Sequence, residues 1–331
     1  MWRTSNKAPA RKAGPRRETR PFLMRLLEGK TLSAEILAAL PPRIEAVRAR
    51  LGRAPALAII NYFADSPSAV YVKRKVAACE KLGLTVKLFS PAPEEGYAAF
   101  KGLLAKLGAD PAWDAIMLER PLPDGFEKLE TWDAIPAAKD VDGLSSLNMG
   151  RLFIARKFAE IESGGYFVPC TALAVVRLMK FHNINPAGLN IAVAGRSAVV
   201  GRPLAQMLTA LDATVTLCHT RTKDTAAVFK AADLVITAVG KAKWLKKEML
   251  PPGMTIIDVG TNFDENGKMC GDADFEDLRQ TAAAISPVPG GVGPVTMACL
   301  LEASVKAAEL RPGTAGDAQP AENKKGGIIL T

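Results

Sequence analysis

Apolar positions along this chain alternate between helical spacing and short strand-like runs. Residues 33–51 repeat apolar side chains at helical spacing, with Ser33 placed as an N-cap and Glu35 in the first turn. The run 56–63 (ALAIINYF) predicts a buried strand. Residues 68–82 predict a helix stopped by Gly83, which suits the left-handed position after a helix. A strand over 84–90, a helix over 94–107 and a strand over 113–118 complete a βαβαβ series, the pattern of a parallel sheet covered by helices on both faces. A second series begins beyond the glycine-rich joint at 163–165. It comprises a helix over 171–182, strands over 190–194 and 213–218 flanking a helix over 203–210, short strands over 233–238 and 254–259, and a last helix over 295–310. The pattern predicts two α/β domains joined near residue 165, with no repeat of fixed period.

Composition narrows the class. A chain of 331 residues has room for two domains, and 48% hydrophobic with 23% charged residues is ordinary for a soluble globular protein. No apolar run approaches the ~18 residues of a membrane span. Five cysteines, odd in number and never in a C-x-x-C pair, argue for a reducing, cytoplasmic setting and against a disulfide framework or zinc site. With only His182 and His219 available, no metal centre is expected. Much of the net charge of +9 sits in residues 1–20, where Glu18 is the only acid. That stretch reads as a solvated tail. An organelle (mitochondrial or other) transit peptide and a nucleic-acid-binding arm are the alternatives, and no nucleic-acid partner is expected. Residues 312–331 read as a second loose tail.

Six segments carry candidate chemistry. Residues 286–299 (SPVPGGVGPVTMAC) place three glycines and three prolines ahead of the last helix, so the backbone of Pro289, Gly290, Gly291, Val292 and Gly293 can approach a ligand closely; a rigid turn is the simpler reading. The strand 190–194 runs into Gly195-Arg196-Ser197 and on to Gly201, a glycine turn opening a helix as at a phosphate site, though without G-x-G-x-x-G spacing. The next strand ends in His219-Thr220-Arg221-Thr222-Lys223. A dinucleotide site for NAD has an acid near this point; hydroxyls and cations here favour the 2′-phosphate of NADP. Tyr71 and Lys75 share a helix face, where a phenol and an amine can pass a proton, although a solvated basic face would look the same. The strand 113–118 ends in Leu118-Glu119-Arg120-Pro121, beyond which ligands sit in open parallel sheets. Asp140 and Asp142 lie in a turn where one carboxylate serves as a cap.

Together the motifs YVKRK (71–75), PLP (121–123), DVDG (140–143), PCT (169–171), GRSAVVG (195–201), CHTRTKD (218–224), AVGK (238–241), IDVGTN (257–262), GDAD (271–274) and PVPGGVGPVTM (287–297) resemble the bifunctional methylenetetrahydrofolate dehydrogenase/methenyltetrahydrofolate cyclohydrolase family over residues 22–311. The resemblance implies an N-terminal α/β catalytic domain (21–165), a Rossmann-like NADP-binding domain (166–293) across a cleft, and a last helix (294–311) packing back on the first domain. It implies NADP as cofactor, tetrahydrofolate derivatives as substrates and a homodimer. By the same resemblance Lys75 is the catalytic lysine, Tyr71 stacks on or hydrogen-bonds the substrate, and Asp142 holds the pterin ring. Leu118, Arg120 and the loop Pro289 to Gly293 meet the folate; Gly195, Arg196, Ser197, Thr220, Arg221 and Thr261 meet NADP.

One departure bears on the chemistry. Family members carry Gln-Leu where this chain carries Glu119-Arg120. The glutamine hydrogen-bonds the catalytic lysine, whereas a carboxylate favours its ammonium form, unless Arg120 holds Glu119 away. The alternative function is therefore a dehydrogenase with weak or lost cyclohydrolase. A third reading, a non-catalytic folate- or nucleotide-binding protein, is opposed by the retention of Tyr71, Lys75 and Asp142.

Overall fold

The computed structural model describes residues 24–63 and 69–312; the expected tails and Ser68 lie outside them, apart from Pro312. The first sheet has three parallel strands in the order β3-β2-β4, from β2 (Ala56–Ile60), β3 (Thr85–Phe89) and β4 (Ala115–Leu118). Every residue of β2 is buried, as for a central strand covered on both faces. The helices of this unit are α1 (Lys30–Ala38), α2 (Leu40–Leu51), α3 (Ala69–Leu82), α4 (Gly96–Ala109), α5 (Leu129–Asp133), α6 (Ser146–Ile154) and α7 (Phe158–Ser163).

The second sheet has six parallel strands in the order β1-β11-β8-β7-β5-β6. These are β1 (Arg25–Leu26), β5 (Asn190–Ala194), β6 (Thr214–Cys218), β7 (Leu234–Thr237), β8 (Thr255–Asp258) and β11 (Ala284–Ile285), with a separate hairpin of β9 (Asn262–Phe263) and β10 (Met269–Cys270). Helices α8 (Cys170–Phe181), α9 (Gly201–Thr209), α10 (Thr225–Ala231), α11 (Phe275–Leu278) and α12 (Val292–Glu309) accompany it. The chain passes from β5 to β6 on one side and then crosses to β7 on the other, so a crevice opens at the carboxyl end of β5.

Three features differ from the sequence expectation. The helix expected over 33–51 is two helices, because Pro41 and Pro42 lack an N–H and fit only a first turn. Ser33 is therefore not an N-cap: it lies inside α1, capped by Gly29, and its hydroxyl donates to the carbonyl of Pro294 at 2.9 Å. Arg25 and Leu26, assigned by sequence to the first domain, pair with β11 at the edge of the second sheet. Residues this close to the chain start carry too short an apolar pattern to declare a sheet.

The last helix, α12, packs between α8 and the α1–α2 pair. Arg43 bonds Glu309 at 2.7 and 2.8 Å, and Arg50 donates to the carbonyls of Ala308 and Glu309. Beyond the helix, Arg311 reaches Asp114 at 3.0 Å. Asp114 is 1% exposed and also receives a fork of bonds from Arg53 (2.6 and 2.8 Å) and the N–H of Ala56 (2.9 Å). Burial pushes its carboxyl up, but Arg53, Ala56 and Arg311 together outweigh burial and hold it below its ordinary 3.8.

Asp114→Ala should lower unfolding free energy by about 3 kcal/mol in urea titration, the low end for breaking a buried pair, because both guanidiniums are partly exposed and can rehydrate. The folded carboxyl lies below its unfolded value, so its stabilisation is complete above pH 3.8 and is lost as pH falls through the folded value. The gap between wild type and variant should accordingly narrow in strong acid.

Candidate active site

Lys75 stands on α3 and Glu119 immediately follows β4. Their side chains meet at the carboxyl edge of the first sheet, with Nζ 2.5 Å from Oε2. Both are mostly withdrawn from water, at 14% and 11% side-chain exposure. Glu119 is fixed by its own backbone N–H, which donates to the carbonyl of Ile60 at 2.8 Å and extends the β2–β4 pairing. Arg120 does not hold Glu119 away. Its guanidinium lies 4.8 Å over the Trp132 ring and 3.4 Å from Glu127. Burial pulls its pKa down, against the fields of Asp142, Glu127 and Glu119, in that order. Leu118, the last residue of β4, is buried in the core. Tyr71 lies one turn before Lys75 on α3; its side chain is outside the described set.

The two acids of the 140–143 turn divide their work. Asp140 is 2% exposed and accepts from the N–H of Ser145 (2.7 Å) and from Asn148 (3.0 Å), while burial raises its pKa. It is the capping carboxylate. Asp142 is less buried, contributes to the field on Arg120, and accepts one long bond, 3.4 Å, from the N–H of Cys170.

The glycine-proline loop is held by backbone contacts. Gly290 sits at φ 115°, where side chains are rarely accommodated, and its carbonyl accepts from Gly29 at 2.9 Å. Gly291 is buried, and Pro289 and Gly293 are exposed. The last helix begins at Val292, three residues earlier than expected, and the Val292 side chain is buried in the core.

At the carboxyl end of β5, Gly195 and Gly201 pack against each other. A β-carbon on Gly201 would lie 1.9 Å from the Gly195 carbonyl oxygen, and one on Gly195 2.1 Å from that of Ala238. Only glycine fits this cradle. Arg196 and Ser197 on its rim, Thr220 and Arg221 after β6, and Thr261 after β8 are all exposed around the crevice. Among the described residues no acidic side chain follows β6 until Asp224, which caps α10 by accepting from the N–H of Ala227 at 2.9 Å.

Comparison with known proteins decides the family. The model for the tetrahydrofolate dehydrogenase/cyclohydrolase catalytic domain matches residues 27–142, and that for the family's NAD(P)-binding domain matches residues 169–311. The chain belongs to the tetrahydrofolate dehydrogenase/cyclohydrolase family. It is 45% identical to the bifunctional protein FolD of Elusimicrobium minutum over 84% of this chain and 96% of that one. It is also 45% identical to FolD of Nocardia farcinica over 87% and 98%. Among solved structures it resembles the bifunctional FolD dehydrogenase/cyclohydrolase of Campylobacter jejuni (38% identity, 86% of this chain and 99% of that one, TM-score 0.79). The Trypanosoma brucei dehydrogenase-cyclohydrolase, solved with NADP and an inhibitor, is 30% identical over 86% of this chain and 97% of its own, with TM-score 0.79.

The glycine cradle and acid-free rim fit the NADP cofactor of the family. Two further residues shape the crevice, and sequence reading did not single them out. Asp258 accepts from the N–H groups of Gly260 (2.8 Å), Asp272 (3.1 Å) and Ala273 (2.8 Å) and from the Thr237 hydroxyl (3.1 Å). Asp272 accepts from Val239 (2.6 Å), Gly240 (3.3 Å) and Lys241 (2.9 Å) N–H and from the Asn262 side chain (2.9 Å). Burial pushes the Asp258 carboxyl up to about 6, against its backbone donors. The signal in the sequence was the pairing of each acid with a glycine: a β-carbon on Gly271 would lie 1.9 Å from Asp258, and one on Gly260 2.3 Å from Asp272.

Proposed function

We propose that this chain oxidises 5,10-methylenetetrahydrofolate to 5,10-methenyltetrahydrofolate with NADP and hydrolyses that product to 10-formyltetrahydrofolate. The observation that carries the reading is the glycine cradle at the carboxyl end of β5, on a chain whose Lys75 stands beside Glu119 at the carboxyl edge of the first sheet. NADP, when bound, accepts the hydride. Gly195, Ser197 and Thr261 hold its body, and Arg196, Thr220 and Arg221 its 2′-phosphate. Asp142 accepts from the pterin N–H donors and Arg120, in its field, orients the same ring. Leu118, Tyr71 and the loop from Pro289 to Gly293 bound the folate. The hydride donor is thus fixed in place.

The five cysteines are free, in keeping with a cytoplasmic enzyme. No helix among the described residues is long and apolar enough to cross a membrane, and those residues hold no cluster of metal-ligating side chains.

We also propose a homodimer formed through the β6 edge. That strand ends the sheet order, and beside it lies an apolar hollow lined by Met149, Phe153, Pro203, Val215 and Leu217. Phe153 and Ile154 are 73% and 76% exposed at its rim, and an unpaired edge with an apolar border suits a second copy.

Three measurements test these statements. With methylenetetrahydrofolate and NADP, NADPH absorbance should rise ahead of the methenyl signal, and added methenyltetrahydrofolate should decay faster than its blank; no NADPH formation rejects the dehydrogenase. Arg196→Ala should weaken NADP by the about 1.5–3 kcal/mol of a charge-assisted bond, roughly ten- to more than a hundredfold, and NAD far less; equal losses reject the 2′-phosphate assignment. Sedimentation should give twice the chain mass, and Phe153→Asp should move it to the monomer.

A further inference from the structure

Resting on the bifunctional reading above, we propose that Glu119 is the general base of the hydrolytic step, with Lys75 beside it as ammonium. A lysine that donates to a carboxylate at 2.5 Å does not present its nitrogen lone pair to water. The carboxylate keeps acceptor capacity: its two oxygens offer about four sites, and Lys75 takes one. The Glu119 backbone is held at the edge where ligands bind by extending the β2–β4 ladder, and its side chain by Lys75. Arg120, the nearest other cation in sequence, is engaged with Trp132 and Glu127. The pair is therefore a single acid–base couple at 11% and 14% side-chain exposure, a base and an acid side by side.

The step balances. Glu119 takes a proton from water as the water oxygen bonds the methenyl carbon, and the C=N π electrons settle on nitrogen. The carbinol hydroxyl then passes its proton to N5 by way of the Lys75 ammonium. The C–N5 bond breaks with its electron pair on N5, and the carbonyl forms. Glu119 releases its proton to solvent, the one proton that hydrolysis of a cationic substrate to a neutral formamide sets free. The ammonium also stands against the oxygen as it gains charge.

Other titratable and charged groups face the couple. From α3, Cys79 faces Lys75, and burial pushes its thiol up to about 12. Arg120 and Asp142 face one another across the site, and Arg120 also faces Glu119.

The test is the blank-corrected decay of methenyltetrahydrofolate in wild type, Glu119→Gln and Glu119→Asp, from about pH 3 to 9, a span that brackets the ordinary carboxylate ionisation. Melting temperature and NADP affinity report folding, since NADP is held by the second sheet. General-base loss costs about 10²–10⁴-fold. Glu119→Gln should thus lose at least about a hundredfold, Glu119→Asp should recover part of it, and the acid-side fall of the wild-type profile should vanish in Glu119→Gln. A smaller loss, or a faster Glu119→Gln enzyme, overturns the proposal, because the carboxylate would then be restraining a lysine base. A wild type that forms NADPH yet hydrolyses no faster than the blank overturns both this proposal and the bifunctional reading.

Discussion

The seam between Gly29 and the loop at 286–291 ties the start of α1 to the loop that leaves the second sheet. A β-carbon on Gly29 would lie 2.0 Å from the Gly291 carbonyl oxygen, so the backbones meet with no room for a side chain. Gly29 donates to Gly290, Leu27 donates to Ile285, and Ser33 closes the contact on Pro294. The start of α1 and the start of α12 are thereby one joint. From it α12 runs back along α2 with its arginine contacts, and the glycine-proline loop has both of its ends anchored. A loop so held has little conformational entropy left to lose.

Buried carboxylates do different work in the two sheets. In the second, Asp258 and Asp272 are held mainly by backbone donors and shape the loops after β7 and β8; among the described residues neither pairs with a cation. In the first, Glu119 meets a cation and keeps open acceptor sites. Similar burial thus gives a brace in one place and an ion pair in the other, and the donors, backbone amide or lysine, make the difference.

Much of this was legible in advance where periodicity was strong. Strand β5 has the predicted bounds, and the alternation of strands and helices translates directly into two parallel sheets. The helix at 33–51 was misread because its apolar spacing continues through Pro41-Pro42, and periodicity is blind to a missing N–H. Helix α6 was not predicted: Leu147, Phe153 and Ile154 face outward, so its apolar residues do not trace a single inward stripe. Whether Asp140 or Asp142 was the cap, and which way Arg120 turned, were questions of tertiary contact that no local pattern answers. The two-residue β1 has no period at all; its pairing depends on β11, far along the chain.

That pairing has a consequence for biosynthesis. Neither sheet with its covering helices is a continuous stretch of polypeptide: β1 completes the edge of the late sheet, and α12 covers helices of the early one. On the ribosome, where domains ordinarily fold as they emerge, α1 and α2 leave the exit tunnel with their packing partner still unsynthesised. The early sheet must therefore wait with apolar surface uncovered until the last helix arrives. A cut at residue 165 leaves two fragments that each lack a strand or helix the other end supplies.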